Sequence, residues 1–300
     1  MDYRSGFIAI VGRPNAGKST LMNALLEEKI AIMSDKPNTT RNNIAGILTQ
    51  EDAQYVFVDT PGIHKPRQQL GRVLNKNAYT AMEDCDVIGW IVDGSKKFGT
   101  GDDFILQRIQ SLHKPVILIV NKVDMMNKEK LMPILLDWQT RYDFDQIVPI
   151  SALQSNNLQE LLSVFKSYLP EGMPLYPSEM KSDHDENFQI CEIIREKILF
   201  KTKEEIPHSV AVLLENKVQK DNKLFMQIMI VVDRPSQKGI LIGKQGQMIR
   251  SIRMAAQSEL KKRFGMPVEL ELYVRVEKNW RNQEQKIKEF GLDELNDEAD

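Results

Sequence analysis

Apolar residues recur along the first half of the chain in short continuous runs, each bounded by polar or turn-forming residues. Runs of this length predict buried β-strands. Two of them, at 86–92 and 116–120, are followed by longer stretches with helical spacing, which favours a mostly parallel sheet with helices on both faces. The predicted strands of this α/β half are residues 7–11, 44–48, 55–58, 86–92, 116–120 and 146–150.

The second half has a different order of elements and predicts a smaller α+β domain. Helix, strand, strand, helix and strand are expected at residues 188–200, 209–214, 224–232, 247–263 and 268–276, and a further helix is expected directly before Gly243. The two strands that follow each other are joined through Asp221-Asn222, a good turn pair. The apolar side of the helix at 247–263 predicts burial of Met248, Ile252, Ala255, Ala256 and Leu260.

A stretch with three prolines and little periodicity, residues 169–185, separates the two halves. Its prolines predict a semi-rigid linker. After the last strand, Trp280, Ile287 and Phe290 predict a final helix packed on the second domain. We expect a first domain at 1–170, a linker at 171–186, a second domain at 187–292 and a disordered acidic tail at 293–300.

Composition agrees with two ordinary globular domains. The chain has 300 residues, 42% hydrophobic and 27% charged, with a net charge of −2. Cys85 and Cys191 lie far apart beside apolar residues and are expected to be reduced core thiols, which suits the cytoplasm. The first residues lack the pattern of a signal peptide, and no apolar run is long enough to span a bilayer. We expect a cytoplasmic protein, with peripheral membrane contact left open.

The first candidate site follows the first predicted strand. Residues 12–19 match the pattern G-x-x-x-x-G-K-[ST] and precede a stretch with helical spacing, which is the context of a phosphate-binding loop. Its glycines let N–H groups point inward at a helix N-terminus. Lys18 would reach the terminal phosphates and Ser19 would bind Mg²⁺. The predicted nucleotide contacts are Gly12, Arg13, Pro14, Asn15, Ala16, Gly17, Lys18, Ser19 and Thr20.

A polar stretch at 36–42 separates the first predicted helix from the strand at 44–48. Taken alone, such a stretch is typical of a surface loop. In nucleotide-switch proteins, however, the loop that follows the first helix after the phosphate-binding loop contains a threonine that binds Mg²⁺ and responds to the γ-phosphate. Thr39 and Thr40 both fit this role, and we favour Thr40.

The strand at 55–58 runs directly into an acidic turn sequence, Asp-Thr-Pro-Gly. A carboxylate at the end of a buried strand costs free energy unless it has a partner. Asp59 can accept a hydrogen bond from water on Mg²⁺, while the Gly62 N–H can face the γ-phosphate. A plain strand-to-turn junction is the alternative, because Asp, Pro and Gly favour turns. The nucleotide contacts predicted here are Asp59, Thr60, Pro61, Gly62 and Ile63.

The strand at 116–120 ends in the pattern N-K-x-D, formed by Asn121, Lys122 and Asp124. The Asp124 carboxylate can accept hydrogen bonds from N1–H and from the exocyclic amine of guanine. Adenine presents an acceptor at that ring nitrogen, so this pattern predicts a preference for guanine. After the strand at 146–150, the backbone of Ser151, Ala152 and Leu153 could meet the carbonyl of the base.

The second half carries a local excess of positive charge. Between Arg234 and Arg263 there are eight basic residues and one acid, Glu259. Such runs are usually solvated faces, but this one contains G-x-x-G between two predicted helices. In KH domains that loop lets a nucleic-acid backbone approach closely. The predicted RNA contacts are Ile242, Gly243, Lys244, Gln245, Gly246, Arg250 and Arg253.

Four nucleotide motifs, each at the carboxyl end of a predicted strand, meet the rule for a ligand site in an open α/β sheet. The first half resembles a Ras-type GTPase domain. The second half resembles a type II (prokaryotic) KH domain, whose third strand comes last. Together they resemble the Era family, whose typical sequence motifs are also matched at residues 30–36, 39–41, 59–66 and 207–209. Ala16 stands where many members carry valine.

The resemblance implies a GTPase that binds GTP or GDP with Mg²⁺ held by Ser19, Thr40 and Asp59, and that catalyses with Lys18, Thr40 and Gly62. It also implies that the KH domain binds the 3′ region of small-subunit (16S) ribosomal RNA and that the protein assists maturation of that subunit. Association of a fraction with the inner face of the cell membrane is implied too. We expect a monomer.

One departure from Ras-like enzymes concerns the residue after Gly62. Those enzymes place a glutamine there to orient the attacking water, whereas this chain has Ile63. Slow intrinsic hydrolysis is therefore expected. Asn15 resembles the asparagine with which potassium-activated relatives hold K⁺, although a turn-forming role is an equal alternative; His64 is a weaker candidate base. An RNA-binding assembly factor with GTP as a structural ligand is the alternative function.

Overall fold

The apolar runs of the first half form one sheet in the computed structural model, which describes residues 3–34, 36, 39–66, 68–203 and 206–293. Its strands are β1 (Arg4–Val11), β2 (Ile44–Thr49), β3 (Ala53–Asp59), β4 (Val87–Asp93), β5 (Val116–Asn121) and β6 (Gln146–Pro149). They lie in the order β2-β3-β1-β4-β5-β6. Only the β2–β3 pair is antiparallel. The predicted six-stranded sheet is confirmed.

Helices cover both faces of this sheet, as the continuous apolar runs predicted. They are α1 (Lys18–Leu26), α2 (Gln69–Asp84), α3 (Thr100–Gln110), α4 (Lys128–Gln139) and α5 (Leu158–Tyr168). Side chains of β1 alternate between the two faces. Ile8 and Ile10 pack in the cluster that includes α1 and α5, whereas Ala9 and Val11 pack in the cluster that includes α2, α3 and α4.

The proline-bearing stretch after α5 lies along the edge of the sheet. Ile47 of β2 donates a backbone hydrogen bond to Lys181 at 2.9 Å. The fully buried Gln54 of β3 donates to the carbonyl of Tyr176 at 2.8 Å and accepts from its N–H at 2.9 Å. These bonds attach the stretch to the sheet. The exact boundaries of the linker stay a prediction, although α5 ends at Tyr168 and the next helix begins at Glu186.

The second half folds around a three-stranded sheet. Its elements are α6 (Glu186–Lys201), α7 (Ile206–Ser209), β7 (Ala211–Lys220), β8 (Lys223–Val232), α8 (Pro235–Ile242), α9 (Gln247–Phe264), β9 (Val268–Val276) and α10 (Glu284–Glu289). Strand β8 lies in the middle, antiparallel to β7 and parallel to β9. Helices α6 and α9 pack their apolar residues on the sheet. The predicted type II KH order is confirmed.

Two details of this domain differ from the sequence prediction. Strand β7 continues to Lys220 rather than ending at Leu214, because its polar outer half pairs with β8 without needing a buried face. In α9, Ile252, Ala256 and Leu260 are buried as predicted, but Met248 and Ala255 are only partly buried. Met248 lies against the preceding loop, where a Cβ on Gly243 would come within 2.7 Å of its Cβ.

The residues after β9 pack on the second domain, as predicted, where they meet Ala211 and Val231, and they also contact the first domain. Trp280, Ile287 and Phe290 are buried with Leu292 against Leu70, Val73 and Leu74 of α2. The predicted acidic tail lies outside the described residues, apart from Asp293. Among the helices that the structure describes, none has the length and hydropathy that crossing a membrane requires.

Candidate functional site

The loop before α1 lies close against the sheet because two of its residues, Gly12 and Gly17, have no side chain. A Cβ on Gly12 would lie 2.4 Å from the carbonyl oxygen of Ile91, and one on Gly17 would lie 2.2 Å from the side-chain nitrogen of Asn121. Gly17 also has φ 108°, a left-handed conformation that favours glycine. Any side chain at either position would push the loop away from the strands. The loop shape therefore depends on both glycines.

Lys18 is the first residue of α1 and is buried inside this loop. Its Nζ donates to the carbonyl oxygens of Gly12 and Arg13, each at 3.2 Å. Burial lowers the pKa of Lys18 to about 8, although the negative charge of Asp59 acts in the opposite direction. An anionic ligand in the loop would stabilise the charged ammonium group. The loop and its lysine thus fit a phosphate.

Three oxygen-bearing side chains meet beside Lys18. Ser19 Oγ donates to Asp59 Oδ2 at 2.7 Å, Thr40 Oγ1 donates to the same atom at 3.1 Å, and the two hydroxyls are 3.0 Å apart. The other carboxylate oxygen, Oδ1 of Asp59, is buried without a hydrogen-bond partner among the described residues. Oxygen ligands from few side chains suit Mg²⁺. The residues present therefore fit the predicted metal site.

Environment also separates the two candidate threonines. Thr39 Oγ1 donates to the carbonyl of Lys36 at 2.6 Å, whereas Thr40 faces Ser19 and Asp59. This geometry favours Thr40 as the candidate metal ligand. Burial raises the pKa of Asp59, while the charge of Lys18 and hydrogen bonds from Ser19 and Thr40 act in the opposite direction. A cation among these oxygens would keep the carboxylate ionised.

The turn after Asp59 packs against the phosphate loop. A Cβ on Gly62 would be 3.0 Å from Pro14, and the Ile63 N–H donates to the carbonyl of Gly12 at 3.3 Å. Thr60 Oγ1 donates to the carbonyl of Ile10 at 2.9 Å, which fixes the turn on β1. The side chain of Ile63 is fully buried in the sheet core. It therefore does not face the cavity.

A cavity of about 260 Å³ lies between the phosphate loop, the threonine and the turn. It is lined by Pro14, Asn15, Gly17, Lys18, Ser19, Thr20, Met33, Ser34, Lys36, Thr39, Thr40, Gly62 and Lys122. Met33, Ser34 and Lys36 were not among the predicted contacts, because nothing in their residue types distinguishes them from a surface loop. His64 is not part of this lining, and its carbonyl accepts from Asn75 at 2.8 Å.

Asn121 joins the loops around the predicted base site. Its amide donates to the carbonyl of Ala16 at 2.9 Å, and its Oδ1 accepts from the N–H of Ala152 at 2.9 Å. Lys122 donates to the carbonyl of Asn15 and to Asp93, each at 2.8 Å. Asp93 was missed in the sequence because a carboxylate ending a strand has no fixed spacing to Lys122.

The carboxylate of Asp124, the predicted guanine contact, is held by a residue that follows another strand. Ser151 Oγ donates to Asp124 Oδ1 at 2.5 Å. The prediction gave Ser151 a backbone role, and the structure adds this side-chain contact. Leu153 is 80% exposed, so its side chain is available to a ligand rather than to the core. Arg13, another predicted contact, pairs through Nη1 with Asp102 of α3 at 3.0 Å.

The G-x-x-G sequence forms a tight turn between α8 and α9. Gly243 and Gly246 have φ 72° and 74°, which glycine adopts without strain, while Lys244 and Gln245 are exposed. Beside the turn is an open groove of about 550 Å³. It is lined by Gly246, Ile249, Arg250, Arg253 and residues 269–272 of β9. The predicted Arg250 and Arg253 lie there, whereas Ile249 and the strand were missed.

The segment that carries Thr40 also contacts the second domain. Arg41 is 2% exposed, and its guanidinium donates to the carbonyl oxygens of Val210 at 2.5 Å and Pro207 at 3.0 Å. Asn42 donates to the carbonyl of Gly291 at 2.6 Å. Burial lowers the pKa of Arg41 to about 9, and the nearby charge of Arg195 adds to this effect. No sequence signal indicated these contacts between domains.

Comparison with known families agrees with both halves. The 50S ribosome-binding GTPase family matches residues 7–122, and the KH domain family matches residues 205–281. Fold and sites together define a P-loop GTPase with a C-terminal KH domain. A crystal structure of Era in complex with MgGDPNP and nucleotides 1506–1542 of 16S ribosomal RNA is 39% identical, with a TM-score of 0.94, covering 97% of this chain and 99% of that chain.

A second crystal structure, a tyrosine-to-alanine variant of Aquifex aeolicus Era bound to GDP·AlF4⁻, is 38% identical with a TM-score of 0.93. The similarity covers 96% of this chain and 99% of that chain. Similarity of this extent is enough to assign a family, and the chain belongs to the Era family of GTPases. The resemblance read from the motifs is thereby confirmed.

Proposed function

We propose that this protein is a GTP-hydrolysing switch that binds the 3′ region of small-subunit ribosomal RNA through its KH domain and assists maturation of that subunit. Similarity over nearly the whole chain to Era bound to MgGDPNP and 16S ribosomal RNA supports the ligands. One observation carries the switch. The segment that supplies Thr40 to the candidate Mg²⁺ site also supplies Arg41 and Asn42 to the second domain.

In the proposed mechanism the phosphate loop and Lys18 bind the phosphates, and Asp124 selects guanine. Ser19, Thr40 and Asp59 would hold Mg²⁺, which supplies neutralisation of charge on the β- and γ-phosphates. The backbone N–H of Gly62 would lie beside the γ-phosphate. If the γ-phosphate and Mg²⁺ hold Thr40 at the site, loss of the γ-phosphate would release the segment that carries Thr40.

Such a release would reach the KH domain through contacts already present. Arg41 would withdraw from the carbonyls of Pro207 and Val210, and Asn42 from Gly291. A ligand can shift an equilibrium only by its differential affinity for the two states. If GTP favours the closed segment, GTP and RNA must strengthen each other's binding by the same factor.

The test is RNA affinity of the full chain in its GDP and GTP-analogue states, together with GTP turnover with and without RNA. We expect tighter RNA binding with the analogue and faster turnover with RNA. Identical RNA affinities would mean that the two domains are only tethered. That outcome would leave the alternative function, an RNA-binding assembly factor in which GTP is a structural ligand. The buried Ile63 favours this alternative, because it supplies no group to orient water.

Further parts of the proposal concern the setting of the protein. We propose a cytoplasmic monomer with a fraction at the inner membrane surface, as the family resemblance implies. The free thiols of Cys85 and Cys191 agree with a reducing compartment. We also propose that Asn15 helps to hold K⁺ beside the phosphates. Asn15 lies in the phosphate loop and lines the nucleotide cavity, which supports this role.

A further inference from the structure

Helix α6 of the KH domain reaches the peptide group next to Thr40. Arg195, which is 3% exposed, donates a hydrogen bond from Nη2 to the carbonyl oxygen of Thr39. The same guanidinium forms a two-point ion pair with Glu192, which accepts from Nε and from Nη2, each at 2.6 Å. A charged donor fixed by a two-point ion pair has little freedom to leave its acceptor.

The next residue of the same helix, Glu196, contacts Met33, which precedes Thr39 and Thr40 in the segment between α1 and β2. Glu196, which is 2% exposed, accepts from the Met33 N–H at 3.3 Å and from Lys29 Nζ at 2.6 Å. Lys29 follows α1 and also donates to Glu259 of α9 at 2.8 Å. Two adjacent residues of α6 therefore contact the segment at residue 33 and at residue 39.

The contact at Thr39 controls Thr40 through covalent geometry. A carbonyl oxygen and the N–H of the following residue belong to one planar peptide unit. A hydrogen bond to the Thr39 oxygen therefore fixes the orientation of the plane from which Thr40 begins. From that plane, Thr40 Oγ1 reaches Asp59 at 3.1 Å and Ser19 at 3.0 Å.

We propose that Arg195 is a positioning residue for GTP hydrolysis, acting from the KH domain by orienting the peptide of Thr40 toward the Mg²⁺ site. This inference rests on the proposed GTPase function. It names one residue through which docking of the KH domain would reach the reacting phosphate. Arg195 does not line the nucleotide cavity, so its effect on the reaction passes through the segment that carries Thr40.

The experiment compares full-length Arg195→Gln and Arg195→Lys with Arg275→Gln as a control. Arg275 lies at the end of β9, half-exposed and paired with Glu277, so its loss changes net charge equally at a distant place. The readouts are kcat and KM for GTP, the Kd of GDP and of the analogue GDPNP, and the Mg²⁺ concentration that half-saturates GDPNP binding. Thermal unfolding checks that each variant is folded.

We expect Arg195→Gln to lower kcat about tenfold and to raise the Mg²⁺ requirement for GDPNP about tenfold, the effect of one charged hydrogen bond. GDP affinity should stay within about twofold, because the threonine segment is held only in the γ-phosphate state. Lys can still donate to the Thr39 oxygen without the two-point pairing to Glu192, so Arg195→Lys should recover part of both losses. Arg275→Gln should match the wild type.

Two other results would separate the explanations. If Arg195→Gln lowers GDP and GDPNP affinity equally, Arg195 has a merely structural role and the inference is overturned. It is also overturned if both Arg195 variants match Arg275→Gln in a wild-type background that hydrolyses GTP. A wild type without hydrolysis would contradict the proposed function instead, and the Mg²⁺ requirement for GDPNP would still test Arg195.

Discussion

Helix α2 and the residues after β9 share an apolar contact between the domains, and Leu74 is one of its buried residues. Leu74 is 1% exposed and packs with Leu70 and Val73 against Trp280 and Phe290. Because α2 follows the turn that carries Gly62, this contact connects that turn of the nucleotide site to the KH domain. We expect Leu74→Ala to weaken the coupling between nucleotide and RNA.

The magnitude follows from the burial of the side chain. Leu→Ala removes three carbon atoms, which is worth about 2.4 kcal/mol at about 0.8 kcal/mol for each buried methylene. A cavity that does not collapse raises the loss to as much as ~5 kcal/mol. Coupling free energies between sites are typically about 1–3 kcal/mol, or roughly 5–150-fold in affinity. Leu74→Ala therefore removes docking energy comparable to the whole expected coupling.

The assay is fluorescence anisotropy with an RNA oligonucleotide of the 3′ end of 16S ribosomal RNA, titrated with the GDP and GDPNP forms. Leu161→Ala is the matched control, because Leu161 is 0% exposed and lies on α5 in the core of the first domain. The ratio of the two RNA affinities should approach 1 in Leu74→Ala and keep its wild-type value in Leu161→Ala. An unchanged ratio in Leu74→Ala, or an equal loss in both variants, would refute the reasoning.

Three further predictions concern single motifs. Asp124→Asn should lower GTP affinity by at least about 100-fold, since two charged hydrogen bonds to guanine are lost, and it should favour xanthine nucleotides. Calorimetry that shows equal binding of ATP and GTP by the wild type would contradict this prediction. Replacing Lys244 and Gln245 with Asp should weaken RNA binding about tenfold or more at moderate salt while turnover without RNA stays nearly intact, and unchanged filter binding would exclude the loop. Potassium in place of sodium should raise turnover, and Asn15→Ala should abolish that difference; equal wild-type rates in both salts would count against the cation.

The sheet and the nucleotide motifs were predictable because their signals are local. Each motif follows an apolar run directly, so the parallel order of strands brings Gly12, Asp59 and Asn121 to one edge of the sheet. The fixed spacing of the phosphate loop also located Lys18 and Ser19 without knowledge of the fold. Local order and edge position together were enough for this part of the site.

The contacts between the domains were not predictable, because they join residues far apart in the chain. Trp280 and Phe290 read as apolar residues of a final helix, but hydrophobicity alone does not say which surface covers them. Arg41 and Arg195 each look like an exposed basic residue in the sequence, and only the fold places backbone carbonyls against them. Long-range packing decides whether such a charge is solvated or buried.

The burial of Ile63 limits how this fold can accelerate hydrolysis. The side chain of Ile63 packs in the apolar cluster that contains Ala9, Val11 and Trp90, and its N–H donates to the carbonyl of Gly12. The residue therefore contributes to the core rather than to the nucleotide site. A glutamine there would have to bury its amide among apolar groups, which costs free energy. The Ras-like arrangement is therefore unfavourable in this turn. Acceleration must therefore come from other groups, which include Lys18, the backbone N–H of Gly62 and the segment that carries Thr40. The KH domain contacts that segment on both sides of the threonine, through Arg195 at Thr39 and through the carbonyls that accept from Arg41.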